Sequence, residues 1–440
     1  MGSGTAGGEA LIHRSRHIAP GVQAVCIGLL GILAGGCGPS RREPTEIRFW
    51  AMGAEGENVQ QLLPEFERRH PDIRVRLQII PWTAAHEKLL TAYAGNATPD
   101  VCQLGNTWIP EFIILNALEP LDQRLRSSAG IHDSSYFPGI RETNMVDGIL
   151  YGIPWYVDTR VLFYRKDILA RVGYSQPPRT WEEWHDVCQR IVDTGPETEH
   201  YAMLLPTTEW PPPVILGMQT GSRFLRDRDT YGDFSGPEFS RAFTFYIDFF
   251  NRRYAPVGLM SVTNIYQSFA EGYFAMYITG PWNIGEFRRR LPPALQDAWM
   301  TAPLPGPDIN TPGMSLAGGS SLVMFSASSK KDEVWKLIEF LSEPEQQVRF
   351  YRITGDLPAR TEAWQDTSLT ENPYVRAFLA QLKHVGSTPK IPQWEQIAMK
   401  VQDYAEIAAR KTKTVQQSLE ALDREVDLIL EKRRWMVNAR

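Results

Sequence analysis

Between Ile47 and Asn116, strand and helix patterns alternate at spacings that leave the chain little choice but a layered α/β fold. Ile47 to Trp50 is a short apolar strand. After a loop from Ala51 to Gly56, a helix pattern runs from Glu57 to Arg69, with Val59, Leu62, Leu63 and Phe66 apolar. Pro64 would cost a helix interior about 3 kcal/mol, so a kink or restart is expected there. Val75, Leu77 and Ile79 then alternate with Arg74, Arg76 and Gln78, the period-two pattern of a half-buried strand. A helix from Thr83 to Ala94, a strand from Pro99 to Leu104 and a helix from Trp108 to Asn116 follow. Strands separated by single helices pair in parallel, so this stretch is expected to form a lobe around a largely parallel sheet.

At 440 residues the chain exceeds what one ordinary core organises. A second block has its own elements. Tyr151 to Trp155 leads into the strand Val161 to Tyr164, and helices span Thr180 to Asp193 and Phe239 to Phe250. Phe274 to Ile278 returns as a strand. Trp299 to Pro303 and Leu316 to Phe325 are again strand-like, and helices at Lys331–Leu341, Pro344–Tyr351, Trp394–Arg410 and Val415–Trp435 close the chain.

The N-terminus is built as a targeting segment. His13, Arg14, Arg16 and His17 precede the apolar run Val22 to Ala34, and Ala34-Gly35-Gly36 stand just before Cys37. The run is too short to span a bilayer, so residues 1–36 are expected to be a cleaved export signal. The small residues before Cys37 resemble the bacterial lipobox, although Leu33 lies four places before the cysteine where three is usual. Cys37 is therefore expected to carry lipid, with residues 37–45 as a tether and ordinary cleavage as the alternative. Cys102 and Cys188 are expected as buried free thiols, or as a bridge if the compartment is oxidising.

Several function classes are excluded early. A net charge of −5 provides no basic surface for nucleic acid. No CxxC or His/Cys cluster supports a metal site, and no cofactor is expected. Neither a G-x-S-x-G elbow nor a phosphate-binding glycine loop is present. What stands out is 13 Trp beside 16 Tyr and 19 Phe, a surplus that suits flat apolar ligand faces such as sugar rings.

An ordered series of motifs runs along the chain: His70-Pro71-Asp72-Ile73, Thr98-Pro99-Asp100-Val101, Leu118-Glu119-Pro120-Leu121-Asp122 and Tyr151-Gly152-Ile153-Pro154. It continues through Tyr164-Arg165-Lys166-Asp167, Gly280-Pro281-Trp282, Pro303-Leu304-Pro305-Gly306 and Thr354-Gly355-Asp356-Leu357-Pro358-Ala359-Arg360. In this order the chain resembles the family 1 extracellular solute-binding proteins, the sugar receptors of ABC importers. The resemblance implies an α/β periplasmic-binding-protein fold: two hinge-linked lobes, mostly parallel sheets and a ligand cleft between them. On that basis lobe 1 is expected to hold 46–156 and 299–354, and lobe 2 to hold 157–298 and 355–440.

Tyr156-Val157-Asp158 before Leu162-Phe163-Tyr164 looks most similar to the trehalose/maltose-binding branch. That match implies Tyr156 and Asp158 as ligand residues, Glu57 as a binding carboxylate with Glu55 as its competitor, and Arg360 as a donor to sugar oxygens. It also implies bare backbone at Gly318 and Gly319 close to the ligand. A carboxylate accepts from vicinal sugar hydroxyls, and a ring beside it packs on the sugar face. The chain departs from the branch at Gly105, where an Asp is usual and where Asn106, next along, is expected to meet sugar hydroxyls, and at Ser320, where a Trp is usual. Trp82, Trp108, Trp210 and Trp282 are further candidates for ligand contact, each with core packing as the alternative. Trp394 is divided between core and cleft, and His86 is expected to face solvent.

The resulting expectation is a non-catalytic receptor, exported to the periplasm or cell surface and held by a lipid anchor. It would capture a sugar, an α-glucosyl disaccharide such as trehalose or maltose, and pass it to ABC membrane permease subunits as a monomer. A secreted glycoside hydrolase and a lipid-anchored sugar sensor are the alternatives.

Overall fold

The computed structural model describes residues 43–194, 200–258 and 264–438. The expected signal, Cys37 and the tether as far as residue 42 lie outside these residues. Thr45, expected in the tether, already begins a strand.

The two larger sheets are built from β1 (Thr45–Met52), β2 (Ile73–Ile80), β3 (Val101–Gly105), β4 (Gly152–Asp158), β5 (Val161–Arg165), β6 (Tyr201–Leu204), β7 (Phe274–Thr279), β8 (Trp299–Ala302), β9 (Gly318–Met324) and β10 (Leu357–Pro358). One sheet is six-stranded in the order β10-β4-β9-β3-β1-β2, and the other four-stranded in the order β8-β5-β7-β6. The central strand β1 is covered on both faces. Ile47, Phe49 and Ala51 enter one buried cluster, while Trp50 and Met52 enter another with Cys102 and Leu104 of β3. This is the reason its second half, Phe49 to Met52, is apolar without alternation, while Glu46 and Arg48 in its first half stay exposed. β2 lies at the edge and keeps the polar alternation expected of it.

The two-lobe α/β arrangement is as expected, but the sheets are mixed rather than mostly parallel. Parallel pairing within them joins β1 to β2 and β3, and β7 to β6. β9 runs antiparallel to β3 and β4, β10 antiparallel to β4, and β5 antiparallel to β7 and β8. The reason is topological. β4 ends at Asp158 and β5 begins at Val161 in the other sheet, so only Thr159 and Arg160 join the lobes there. A chain that returns from the other lobe enters at the cleft end, opposite in direction to the strands that finish there.

Strand pairing also moves the expected lobe boundaries. Trp299–Ala302 lies against β5 in the second sheet, so the return to the first lobe is made by β9 from Gly318, not at 299. Leu357–Pro358 pairs with β4 in the first sheet, although 355 onward was expected in the second lobe. The first boundary falls after Asp158 rather than at 156.

The helix expected from Glu57 to Arg69 is two helices, Gly53–Val59 and Leu63–Arg69, with Pro64 in the first turn of the second. Proline is tolerated there because the missing N–H would have no helical partner. The long final helix likewise divides into Val415–Ile429 and Glu431–Asn438. Cys102 and Cys188 are both buried and free.

Gly319 has φ +121°, and a Cβ there would sit 2.3 Å from the Tyr156 carbonyl oxygen. Backbone conformation and the close approach of β4 both demand glycine. Gly319→Ala is therefore expected to cost about 2 to 4 kcal/mol, read from the urea midpoint. An unchanged midpoint would sink this account of the residue.

Candidate functional site

Strands from both sheets end at one place. Beyond β1 lies Glu55, beyond β3 the 3-10 turn Asn106–Trp108, at the end of β4 Tyr156 and Asp158, beyond β6 Trp210, and beyond β7 Trp282. In open α/β sheets the carboxyl ends of strands leave exposed loops and polar backbone, and ligands bind there. Here those ends enclose a cavity of about 530 Å³ between the lobes.

Trp82 and Trp108 form one aromatic wall, edge to face with ring centroids 5.7 Å apart. Trp210 and Trp282 line the cavity from the second lobe. Trp282 is 37% exposed, and the Arg160 guanidinium lies 4.5 Å from its ring centroid. Gly318 and Gly319 line the cavity too, although β4 backbone is what excludes a side chain from them.

Tyr156 is the hub of the polar floor. Its hydroxyl donates to Glu55 Oε1 at 3.2 Å, accepts from Gln103 Nε2 at 3.0 Å, and lies 3.0 Å from Ser320 Oγ. Trp82 Nε1 donates to the other Glu55 oxygen at 3.1 Å. Ser320 therefore replaces the branch's stacking Trp with a hydrogen bond to the hub. Gly105 lies beneath the Trp108 indole, which a Cβ would meet at 3.4 Å. The Trp108 indole thus closes over the position where a side chain at 105 would stand.

Two buried polar atoms in this cavity have no protein partner, Asn106 Nδ2 and Asp158 Oδ1. Asn106 Oδ1 is already held by the Ser321 hydroxyl at 3.0 Å, which leaves the Nδ2 donors without a protein partner. A buried donor and a buried acceptor left without partners each cost about 1 to 3 kcal/mol, a debt that a ligand hydroxyl removes.

The cavity is acidic, with Glu55, Asp158, Asp356 and Glu395 against Arg160. Burial raises Glu55, against hydrogen bonds from its own backbone, Trp82 and Tyr156, and the charge of Asp158 adds to the rise. Burial lifts Asp356 well above the usual carboxylate range, helped by the charge of Glu55. Asp158 is raised by burial against the opposing charge of Arg160. Glu395 is raised by burial, with the Thr107 hydroxyl and His86 pulling the other way.

Of the residues expected from the sequence, Trp82, Asn106, Trp108, Tyr156, Asp158, Trp210, Trp282, Gly318 and Gly319 line this cavity. Glu57 does not. Its helix starts at Gly53, and residues two apart on a helix face opposite ways, so Glu55 turns inward and Glu57 is exposed. Arg360 is also absent from the cavity. It is 4% exposed and donates to the Gly130 and Ser342 carbonyls and to Glu362, inside the first lobe. Trp394 is core, packed edge to face against Trp210. His86 does not face solvent freely: its Nε2 lies 2.6 Å from Glu111, and its ring packs against Trp108. Sequence reading missed Thr107, Arg160, Asp356 and Glu395. Asp356 lies in a quoted motif just before the edge strand β10, a position that carries its side chain to the cleft.

A larger groove of about 860 Å³ runs along the second lobe past Pro177, Pro178, Leu304 and Lys383. Its lining is mainly apolar, and its buried amide, Gln381, already bonds Leu304 N, Gly313 O and His384 O. It presents no unsatisfied group like those of the cleft.

The family described as bacterial extracellular solute-binding protein matches residues 51–348. The chain belongs to this family. Among solved structures, the sugar-binding protein MalE from Xanthomonas citri is 47% identical, with a TM-score of 0.86 over 90% of this chain and 100% of that one. The diacetylchitobiose binding protein DasA of Streptomyces coelicolor is 26% identical over 353 residues, 79% of this chain and 80% of its own length. A maltotriose-binding protein of Pyrococcus abyssi is 25% identical over 345 residues, 76% of this chain and 70% of its own length. Among the described residues, no helix is long and apolar enough to cross a membrane.

Proposed function

We propose that this protein is the receptor of an ABC importer: it captures a sugar in the cleft and passes it, chemically unchanged, to the membrane permease. The observation that carries the reading is the pair of unpartnered polar atoms, Asn106 Nδ2 and Asp158 Oδ1, in a cavity walled by tryptophans from both lobes. Hydroxyls satisfy the polar pair, and C–H faces of a sugar ring lie on the indoles. An α-glucosyl disaccharide such as maltose or trehalose is the favoured ligand, in keeping with relatives named for maltotriose and for MalE. The relative named for diacetylchitobiose makes an N-acetylated disaccharide the natural comparison. Export and a lipid anchor at Cys37 complete the proposal, with the permease and a membrane surface as partners.

A thermal-shift screen of mono- and disaccharides tests it. A ligand at 100 times its Kd stabilises the fold by about 2.7 kcal/mol, which a melting curve resolves. No shift with any saccharide would end the carbohydrate reading. The acidic lining adds a further expectation: sugar phosphates and uronic acids give no shift where their neutral counterparts do, because their charge meets carboxylates. Equal shifts for charged and neutral forms would show that those carboxylates are protonated or remote. Incubation of the bound disaccharide over hours separates the receptor from a hydrolase, since the receptor returns it intact.

A further inference from the structure

Beside the aromatic wall of Trp82 and Trp108, the two lobes touch through a polar contact. Thr107 is the middle residue of the turn that follows β3, and its hydroxyl donates to Glu395 Oε1. Glu395 lies in the first turn of the helix Trp394–Ala409, whose Trp394, Ile397 and Val401 pack in the second lobe's core. The two partners therefore belong to different lobes, and both line the cavity.

We propose that the Thr107–Glu395 contact is an interlobe latch, and that Glu395 is a positioning residue that sets how much of the unliganded protein is already closed. A ligand that spans the cleft needs both walls together, so its apparent Kd is the intrinsic value divided by the closed fraction. Lowering that fraction weakens every ligand by one common factor, whatever its shape. A direct contact behaves differently, because its loss depends on which ligand group it meets. Loss of this hydrogen bond is expected to lower the closed fraction about tenfold. The affinity part of the proposal rests on the cleft being the sugar site; the closure part does not.

The test uses the full chain with Thr107→Val, Glu395→Ala, the double variant and the conservative Thr107→Ser. Without ligand, amide hydrogen exchange at Asn106–Trp108 and at the start of the Trp394 helix is expected to rise about tenfold in both single variants. The double variant is expected to add nothing further, and Thr107→Ser to keep the wild-type protection. With maltose and trehalose as probes, each Kd rises by the same factor, about tenfold. Unchanged exchange in Thr107→Val and Glu395→Ala overturns the latch. So do losses that add in the double variant, or a Kd ratio that differs between the probes, which makes Glu395 a ligand contact instead. If neither probe binds the wild type, the sugar reading fails while the exchange measurement still decides the latch.

Discussion

Arg360→Ala lowers the stability of this protein by about 3 to 5 kcal/mol and leaves the ligand affinity of the folded fraction unchanged. The guanidinium is buried and donates to Gly130 O at 2.9 Å and Ser342 O at 3.1 Å, and the Arg360 N–H donates to the Gln347 side chain at 2.8 Å. Truncation strips these carbonyls of their partner and leaves a void. The ion pair with Glu362 contributes less than its geometry suggests, because the Glu362 side chain is 45% exposed and screened by water. Arg360→Lys recovers little, since an ammonium lacks the planar fork that reaches several acceptors at once. Urea denaturation gives the stability, and calorimetry on the folded variant gives the Kd. A tenfold weaker Kd with an unchanged midpoint would return Arg360 to the ligand.

The same residue sets part of the acid response. Burial opposes ionisation of Glu362, but the Arg360 guanidinium, its own backbone N–H and the Ser135 hydroxyl outweigh it and bring its pKa down to about 2. A depressed carboxylate stabilises the fold above its unfolded value, about 4.3, and that stability is lost as pH falls toward the folded one. Between about pH 4.5 and 2 the wild type therefore loses stability of which Arg360→Ala has only the part held by the backbone N–H and Ser135, and the variant's acid limb is shallower.

The second large effect has the opposite sign. Asp158→Asn and Asp356→Asn are each expected to raise stability at neutral pH by about 1 to 3 kcal/mol while weakening ligand binding about 100-fold. Both carboxyls are raised by burial in a cavity shared with Glu55. For a carboxylate raised on folding, stability is fully present below the unfolded value, about 3.9, and is lost as pH rises through the folded one. At neutral pH the wild type stands beyond much of that loss, and an amide removes it. The ligand loses a carboxyl partner at the same time. Melting curves at neutral pH with and without saccharide read both quantities. A variant less stable than wild type, or one that binds as well, would show that these carboxyls are not held at a cost for the ligand.

Much of the architecture is legible in the residues themselves. Alternation over Val75, Leu77 and Ile79 marks β2, and the stripe Val334, Trp335, Ile338 and Leu341 marks a helix of the observed length. Local backbone chemistry decides these elements, so a local reading recovers them. The Tyr156–Asp158 pair was expected only through the family resemblance, and Trp82, Trp108, Trp210 and Trp282 only as candidates set against core packing; all of them line the cleft.

What the sequence alone determined was the series of elements, their two-lobe grouping and the aromatic character of the site. Only the tertiary structure decided which carboxylate of Glu55 and Glu57 turns inward, because that depends on a helix start at Gly53, four residues before the Glu57 that its pattern suggests. It also decided that Arg360 is buried scaffold and that Asp356 and Glu395 belong to the cleft. These side chains meet partners hundreds of residues away, beside a strand, β9, that runs backward because the chain re-enters its first lobe at the cleft. No local pattern carries that information, since the direction of a returning strand is a property of the path and not of the residues in it.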